Sequence, residues 1–300
     1  MQNTNTAHEA PLRSFRITVP EPAQSGVAAL LEEEGFRFEP EPFSACCRRL
    51  TAEPRPLGSS LAAFFGLIYI QGRSSMLPPL VLAPEKGAAV LDMCASPGSK
   101  TGFLAQLVGP GGFVLANEVS HSRLFTLRQN LRVCNFLQAG TCSYEGQNIP
   151  LAPGSLRYIQ LDPPCSGWGT AVKNPKVMAL WHDDKVKPLI GLQRLLLRRA
   201  AELLAPGGVV VYSTCTTNSG ENERQVEYAE ACLGLTREPL APFPGFYWDD
   251  REGSEGTLRV DGERSGSQGF YVARLRKTGE PEPEKSVPPV SAGVSGIVAF

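Results

Sequence analysis

No run in this sequence is long and apolar enough to span a bilayer. The longest, Leu61 to Ile70, is about half the ~20 residues that a membrane helix needs. Positive charge is not in excess either. The 29 Lys and Arg stand against 30 Asp and Glu, a net charge of −1, so any contact with nucleic acid must be a local patch. There are only three histidines, and none of the eight cysteines forms a Cys-x-x-Cys pair, which argues against a zinc site, so no metal is expected. Met1-Gln-Asn-Thr-Asn-Thr-Ala-His8 lacks the charged-then-apolar pattern of a secretory leader. Free thiols in a reducing, cytoplasmic setting are therefore expected. No internal repeat is present. What is present is 42% hydrophobic content, enough to bury the core of one large domain and a smaller one.

Residues 1–13 and the Pro/Glu/Ser/Val tail, 278–300, read as disordered. Phe15 to Val19 predicts a strand, Gln24 to Glu34 a helix, and Phe36 to Phe38 a second strand start, together a small α+β module within 14–80. Pro40, Pro42, Pro54 and Pro56 predict a linker or long loop, and Pro78-Pro79 predicts a stop to regular structure. From Ala88 strands alternate with helices, the pattern of a parallel α/β sheet, within a second domain spanning 81–277. Its strands are expected at Ala89–Cys94, Phe113–Val119, before Tyr144, at Arg157–Leu161, Val209–Ser213 and Gly269–Leu275. Its helices are expected at Lys100–Val108, Ser120–Cys134, Gly191–Leu204 and Glu221–Leu233.

In an open α/β sheet the ligand crevice lies outside the carboxyl ends of the strands. The first strand ends in Asp92 before a turn containing Gly98, and the second ends in Glu118. An acid at that second place accepts hydrogen bonds from ribose hydroxyls, and a glycine turn lets backbone approach a ligand. The turn is neither Gly-x-Gly-x-x-Gly nor a P-loop: Ser99 separates Gly98 from Lys100. A nucleoside without a pyrophosphate fits best, and S-adenosylmethionine is the common one. Two further strands end in thiols, at Asp162-Pro-Pro-Cys165 and Ser213-Thr-Cys215. Two thiols and the Asp162 carboxylate at one crevice form a candidate site for covalent chemistry. Cys94, Cys134, Cys142 and Cys232 read as small buried apolar residues, while Cys46 and Cys47 stay unassigned.

Leu91-Asp-Met-Cys-Ala-Ser-Pro-Gly-Ser-Lys-Thr101, Asp162-Pro-Pro-Cys-Ser-Gly167, and Tyr212-Ser-Thr-Cys-Thr216 followed by Glu221-Asn-Glu223 resemble the Sun-type RNA 5-methylcytosine methyltransferases. Gly66 to Pro79 resembles the element before that family's catalytic domain, and Gly269 to Lys277 its final strand. The resemblance spans about residues 14–277, without the extra C-terminal RNA-binding domains that members carry. It implies a Rossmann-like methyltransferase fold: a mostly parallel seven-stranded sheet with an antiparallel last strand, preceded by a small RNA-binding module. By resemblance Cys215 is the nucleophile toward cytosine C6, Cys165 aids breakdown of the adduct, and Asp162 binds the N3/N4 edge of the base. Cys94, Ala95, Ser96, Pro97, Gly98, Ser99, Lys100, Glu118, Arg123, Glu145 and Asp162 hold S-adenosylmethionine. Lys173, Pro175 and Trp168 lie toward the RNA.

Three departures stand out. Glu145 replaces the usual Asp after the third strand, Pro163 replaces a frequent Ala, and Trp168 stands where a smaller residue is usual. Arg13, Arg16, Arg48 and Arg49 of the small module, and Arg194, Arg198 and Arg199 with Lys185 and Lys187, are candidate phosphate contacts or solvated faces. The expected partner is RNA, rRNA before tRNA, with no membrane and a monomeric chain. Competing readings are a methyltransferase for an amine acceptor, which needs no thiol, and a non-catalytic RNA-binding scaffold of the same fold. A dehydrogenase lacks its fingerprint.

Overall fold

The computed structural model describes residues 13–171, 177, 183–278 and 298–299. The stretches expected to be disordered fall outside these, except for Arg13, Thr278 and Val298–Ala299. Lys173 and Pro175 also lie outside the described residues.

A four-stranded antiparallel sheet opens the chain, in the order β2-β3-β1-β4, from β1 (Ser14–Ile17), β2 (Arg37–Glu41), β3 (Ser44–Ala52) and β4 (Ile68–Ile70). Helix α1 (Glu21–Glu33) starts with Pro22 in its first turn, where the missing N–H costs nothing, and buries Val27 and Leu31, four apart, against Phe15, Ile17 and Leu50. The proline-bearing passage is not the expected linker. Its first part is a hairpin, with Pro40 tolerated because β2 is the edge strand of its sheet, and only Pro54 and Pro56 lie in the loop after β3. Pro78-Pro79 does not stop structure either: both sit in the first turn of α3 (Leu77–Leu82), the helical position that accommodates proline. Between these, α2 (Leu61–Phe64) is capped by the Ser60 hydroxyl, which accepts from the Ala63 N–H.

The large sheet takes β5 (Ala89–Asp92), β6 (Phe113–Asn117), β7 (Ala139–Cys142), β8 (Leu156–Leu161), β9 (Leu204–Thr214), β10 (Leu235–Glu238), β11 (Leu258–Val260), β12 (Phe270–Lys277) and β13 (Val298–Ala299). Its order is β10-β12-β9-β8-β5-β6-β7-β13, with β11 on β12. Strands β7, β6, β5, β8 and β9 run parallel, and β12 is antiparallel to β9 and β10. This is the expected seven-stranded Rossmann-like sheet with its antiparallel last strand, β12, inserted between β9 and β10, and with β11 and β13 added. Helices α4 (Ser99–Val108), α5 (His121–Val133), α6 (Asp183–Leu203) and α7 (Glu223–Cys232) cover it. Because both faces are covered, neighbouring strand residues face different cores: Leu91, Ile159 and Val210 one, Val90, Tyr158 and Val209 the other. The strands therefore read as continuous apolar runs rather than alternating ones. The chain moves from β5 to β6 on one side and later to β8 on the other, so the switch point lies between β5 and β8.

Buried arginines join the small sheet to the large one. Arg73 Nη2 and Nε grip both oxygens of Glu41 on β2, while Nη1 donates to Ser265 O (2.6 Å) and Nη2 to Gly245 O (2.8 Å). Arg16 is fully buried, its guanidinium 4.7 Å from the Phe103 ring centroid of α4, so it is a joint residue and not the expected RNA contact. Arg13 and Arg49 pair with Glu53 and Glu39. Glu41→Ala leaves the Arg73 guanidinium buried without its carboxylate. Urea unfolding is expected to show a loss of roughly 3–5 kcal/mol, and a loss under 1 would deny the joint its importance.

Candidate active site

Parallel neighbours β8 and β9 end at the same level, with Leu161 opposite Tyr212, so the turns that follow leave the sheet side by side. That register brings Cys165 Sγ within 3.4 Å of Cys215 Sγ, and both thiols are half-buried. The Trp168–Thr170 turn then folds back onto β9 and β12: Gly169 N donates to Cys215 O (3.0 Å), and Gly269 N donates to Gly169 O (2.9 Å). A Cβ at Gly169 would stand 2.2 Å from Gly269 O, so only glycine fits there. The hydrogen bond from the Cys165 thiol holds Cys215 below the ordinary thiol range against its burial, with Lys100 adding to the effect. The same bond, together with burial, drives Cys165 well above it. Of the two, Cys215 is the thiol that ionises more readily.

Asp162 closes the crevice. Its Oδ2 accepts from Lys100 Nζ (2.6 Å) and its Oδ1 from Ser213 Oγ (2.9 Å). Lys100 stands on the first turn of α4, buried; burial opposes its charge, but Asp162 outweighs that and raises its pKa. Asp92, fully enclosed at the end of β5, accepts from Thr101 Oγ1 (2.7 Å), and burial raises it from 3.8 to about 6.

On the other side of the switch point a cavity of about 240 Å³ is lined by Met93, Cys94, Asn117, Glu118, Val119, Arg123, Glu145, Gly146, Gln147, Pro164, Leu192 and Leu196. Apolar walls at Pro164, Leu192 and Leu196 and an acidic rim at Glu118 and Glu145 give the cavity the character of a nucleoside site. Glu118 is buried; its Oε1 accepts from Ser120 N (2.9 Å) and its Oε2 lies 3.4 Å from Arg123. Arg123 also donates to Ser96 O (3.0 Å), tying α5 to the glycine turn. At Gly98, φ is +103°, a left-handed conformation that starts α4. Glu145, the longer acid, spends one oxygen on Gln147 Nε2 (3.2 Å) and Asn148 Nδ2 (2.9 Å).

Of the expected site residues, Cys94, Glu118, Arg123 and Glu145 share the cavity wall, while Lys100 and Asp162 face the thiols. Ala95 to Ser99 form the turn between the two, Ala95 N donating to Asn117 O (2.9 Å). Trp168 is half-buried beside the thiols, its indole nitrogen enclosed without a partner. Cys142 is buried as expected, but Cys94 and Cys134 are only partly so, and Cys232 is exposed at the end of α7. The basic run on α6 divides: Arg199 donates inward to Ile149 O (2.8 Å) and Leu151 O (2.9 Å), while Arg194, 5.0 Å from the Tyr228 ring centroid, and Lys187 are exposed. Sequence reasoning gave no role to Glu221, Asn222, Ser166, Thr216 and Gln193, which are buried around both cysteine turns. The run Glu221-Asn-Glu223, six residues after the second cysteine, was the available signal.

Residues 79–276 match the family model described as "16S rRNA methyltransferase RsmB/F". "Ribosomal RNA small subunit methyltransferase F" of Serratia proteamaculans is 38% identical over 97% of this chain and 61% of its own length. The chain spans about three fifths of the length of the curated relatives it matches. Among solved structures, a methyltransferase homolog protein from Pyrococcus horikoshii aligns with a TM-score of 0.78 and 31% identity over 90% of this chain and 87% of that one. NSun6 from Pyrococcus horikoshii with SFG aligns at 0.81 over 91% and 92%, with 20% identity, a likeness of fold.

Two measurements check the electrostatics. At pH 7.5 iodoacetamide is expected to label Cys215 severalfold faster than Cys165, and Lys100→Met to slow that labelling; equal rates in the native protein would contradict the assignment. Asp92 holds its proton more tightly folded than unfolded. Its contribution to stability is therefore complete below about 3.8 and lost as pH rises through about 6. Asp92→Asn should remove a fall of stability on the order of 3 kcal/mol between those limits. Identical slopes in wild type and variant would show that Asp92 titrates normally.

Proposed function

Because this chain belongs to the 16S rRNA methyltransferase RsmB/F family, we propose that it methylates C5 of a cytosine in RNA, rRNA in the first place, through a covalent adduct on Cys215. The observation that carries the reading is the pair of thiols 3.4 Å apart beside an ion-paired carboxylate, since an amine methyltransferase needs neither thiol. S-adenosylmethionine, the co-substrate, supplies an electrophilic sulfonium methyl when bound. Glu118, Arg123, Glu145 and Cys94 hold it with the Ala95–Ser99 turn, and Lys100 and Asp162 border it on the side of the thiols.

C5 of cytosine is a poor nucleophile. Addition of the Cys215 thiolate at C6 makes C5 enamine-like and able to take the methyl group. Asp162, fixed by Lys100 and Ser213, meets the N3/N4 edge and favours the charge pushed toward C5. The C5 proton then leaves to a base, the electrons re-form the C5–C6 bond, and Cys215 is expelled as the thiolate. Cys165, the thiol that keeps its proton, is the group beside that departing sulfur and aids its release. The base must be extruded or single-stranded, because its C6 face is covered in a stack. Residues 81–277 carry the chemistry, and the module at 14–80, with Trp168, Lys173 and Pro175, guides the RNA. The protein acts as a monomer in the cytoplasm, in keeping with its free thiols.

With labelled methyl donor and small-subunit rRNA or tRNA as acceptor, Cys215→Ala is expected to lose at least roughly 10³-fold in turnover and to form no RNA–protein adduct on a denaturing gel. Cys165→Ala should trap the adduct instead. Methylation by Cys215→Ala at the wild-type rate would sink the covalent mechanism, and product formed only on tRNA would move the substrate.

A further inference from the structure

The dipeptide Glu221-Asn222 touches both cysteine turns. On the Cys165 side, the Glu221 carboxylate accepts from Ser166 N (2.9 Å) and from Ser166 Oγ, and Gln193 Nε2 bridges Glu221 Oε2 (3.0 Å) to Pro164 O (2.9 Å). Both neighbours of Cys165 are thus held through one carboxylate. On the Cys215 side, Thr214 Oγ1 donates to Asn222 Oδ1, and Asn222 Nδ2 donates to Thr216 O (3.0 Å). Both neighbours of Cys215 are held through one amide. The two grips are joined directly, since Thr216 Oγ1 lies 2.7 Å from Ser166 Oγ, which donates onward to Glu221. Tyr212 Oη fixes the dipeptide itself by donating to Glu221 O (2.7 Å).

In each tripeptide the cysteine side chain is the one that this network leaves out, so each thiol meets the other thiol while its flanking residues are held. Glu221, Asn222, Ser166, Thr214 and Thr216 are all fully buried or nearly so, where a polar group persists only when its bonds are satisfied. A buried carboxylate and amide that serve two separate turns on adjacent strands do something that apolar packing cannot: they set a distance. We infer that Glu221 and Asn222 are positioning residues that fix the separation of the Cys165 and Cys215 sulfurs. On the proposed covalent mechanism, which this consequence rests on, that separation governs how quickly Cys165 assists release of the adduct from Cys215.

The separation can be read without RNA or methyl donor. Diamide accepts the two thiol hydrogens, becomes the hydrazine, and leaves a Cys165–Cys215 disulfide, a loss of two hydrogens that mass spectrometry of the linked peptides detects. Glu221→Gln, Asn222→Asp and the milder Ser166→Ala, each checked for native circular dichroism and donor binding, are expected to form this disulfide at least roughly tenfold more slowly than wild type. They should also accumulate RNA adduct with kcat lowered more than KM is raised, and Glu221→Asp should recover part of both. Wild-type rates of disulfide formation in folded Ser166→Ala and Glu221→Gln would overturn the inference. Slowed disulfide formation in a protein whose wild type makes no RNA adduct would leave the positioning role standing and remove the methylation reading instead.

Discussion

The contact between the Cys165 and Cys215 sulfurs is the interaction on which the rest of the site depends. Two thiols in ordinary surroundings would each ionise near the same pH, and neither would be distinguished. Through the one hydrogen bond between them, Cys215 is held below the ordinary thiol range and Cys165 above it, so Cys215 ionises first. Lys100 reinforces that choice, but not as a free cation, because Asp162 already neutralises it at 2.6 Å. The crevice therefore sets an ion pair beside two thiols of unlike acidity.

Such an arrangement needs two chain segments far apart in sequence to be held to a fraction of an ångström. The parallel pairing of β8 with β9 supplies the coarse alignment, and the turns after them supply the fine one. Where an apolar core would let the turns slide, the enclosed Glu221 and Asn222 give each turn specific partners. Gly169 adds a third constraint by inserting its peptide between Cys215 O and Gly269 N. Polar burial is costly in general and is tolerated where every member of the network is bonded.

Much of this was legible in the sequence because it is periodic or punctuated. The β5, β6, β8 and β9 strands are apolar runs of the right length, and Asp92, Glu118, Asp162 and the two thiols stand where such runs stop. The errors have physical causes. Prolines signal breaks only where an N–H or a helix interior is required, and neither applies to Pro40 on an edge strand or to Pro78 and Pro79 in a first turn. Arg16 looks like a surface cation because nothing local announces that the Phe103 ring will cover it. Glu221 and Asn222 were not readable as a brace, because the Glu221 side chain finds its partners 28 to 55 residues away, on different elements.

The small module is bonded to the cofactor turn as well as packed beside it. Tyr69 Oη on β4 donates to Pro97 O (3.3 Å), Asn130 Nδ2 of α5 donates to the same oxygen (2.8 Å), and Arg16 Nη2 reaches Ser99 O (3.4 Å). The Ser96–Ser99 turn leads directly into Lys100, whose ammonium holds Asp162. β1 and β4 are thus connected through hydrogen bonds and the covalent chain to the carboxylate beside the thiols. The Arg73–Glu41 pair closes a second route, from the β2–β3 hairpin to the loop before β12. Tilting the module would break the buried Arg73–Glu41 pair together with the hydrogen bonds at Pro97 and Ser99, so the two ties fix its orientation against the cofactor turn.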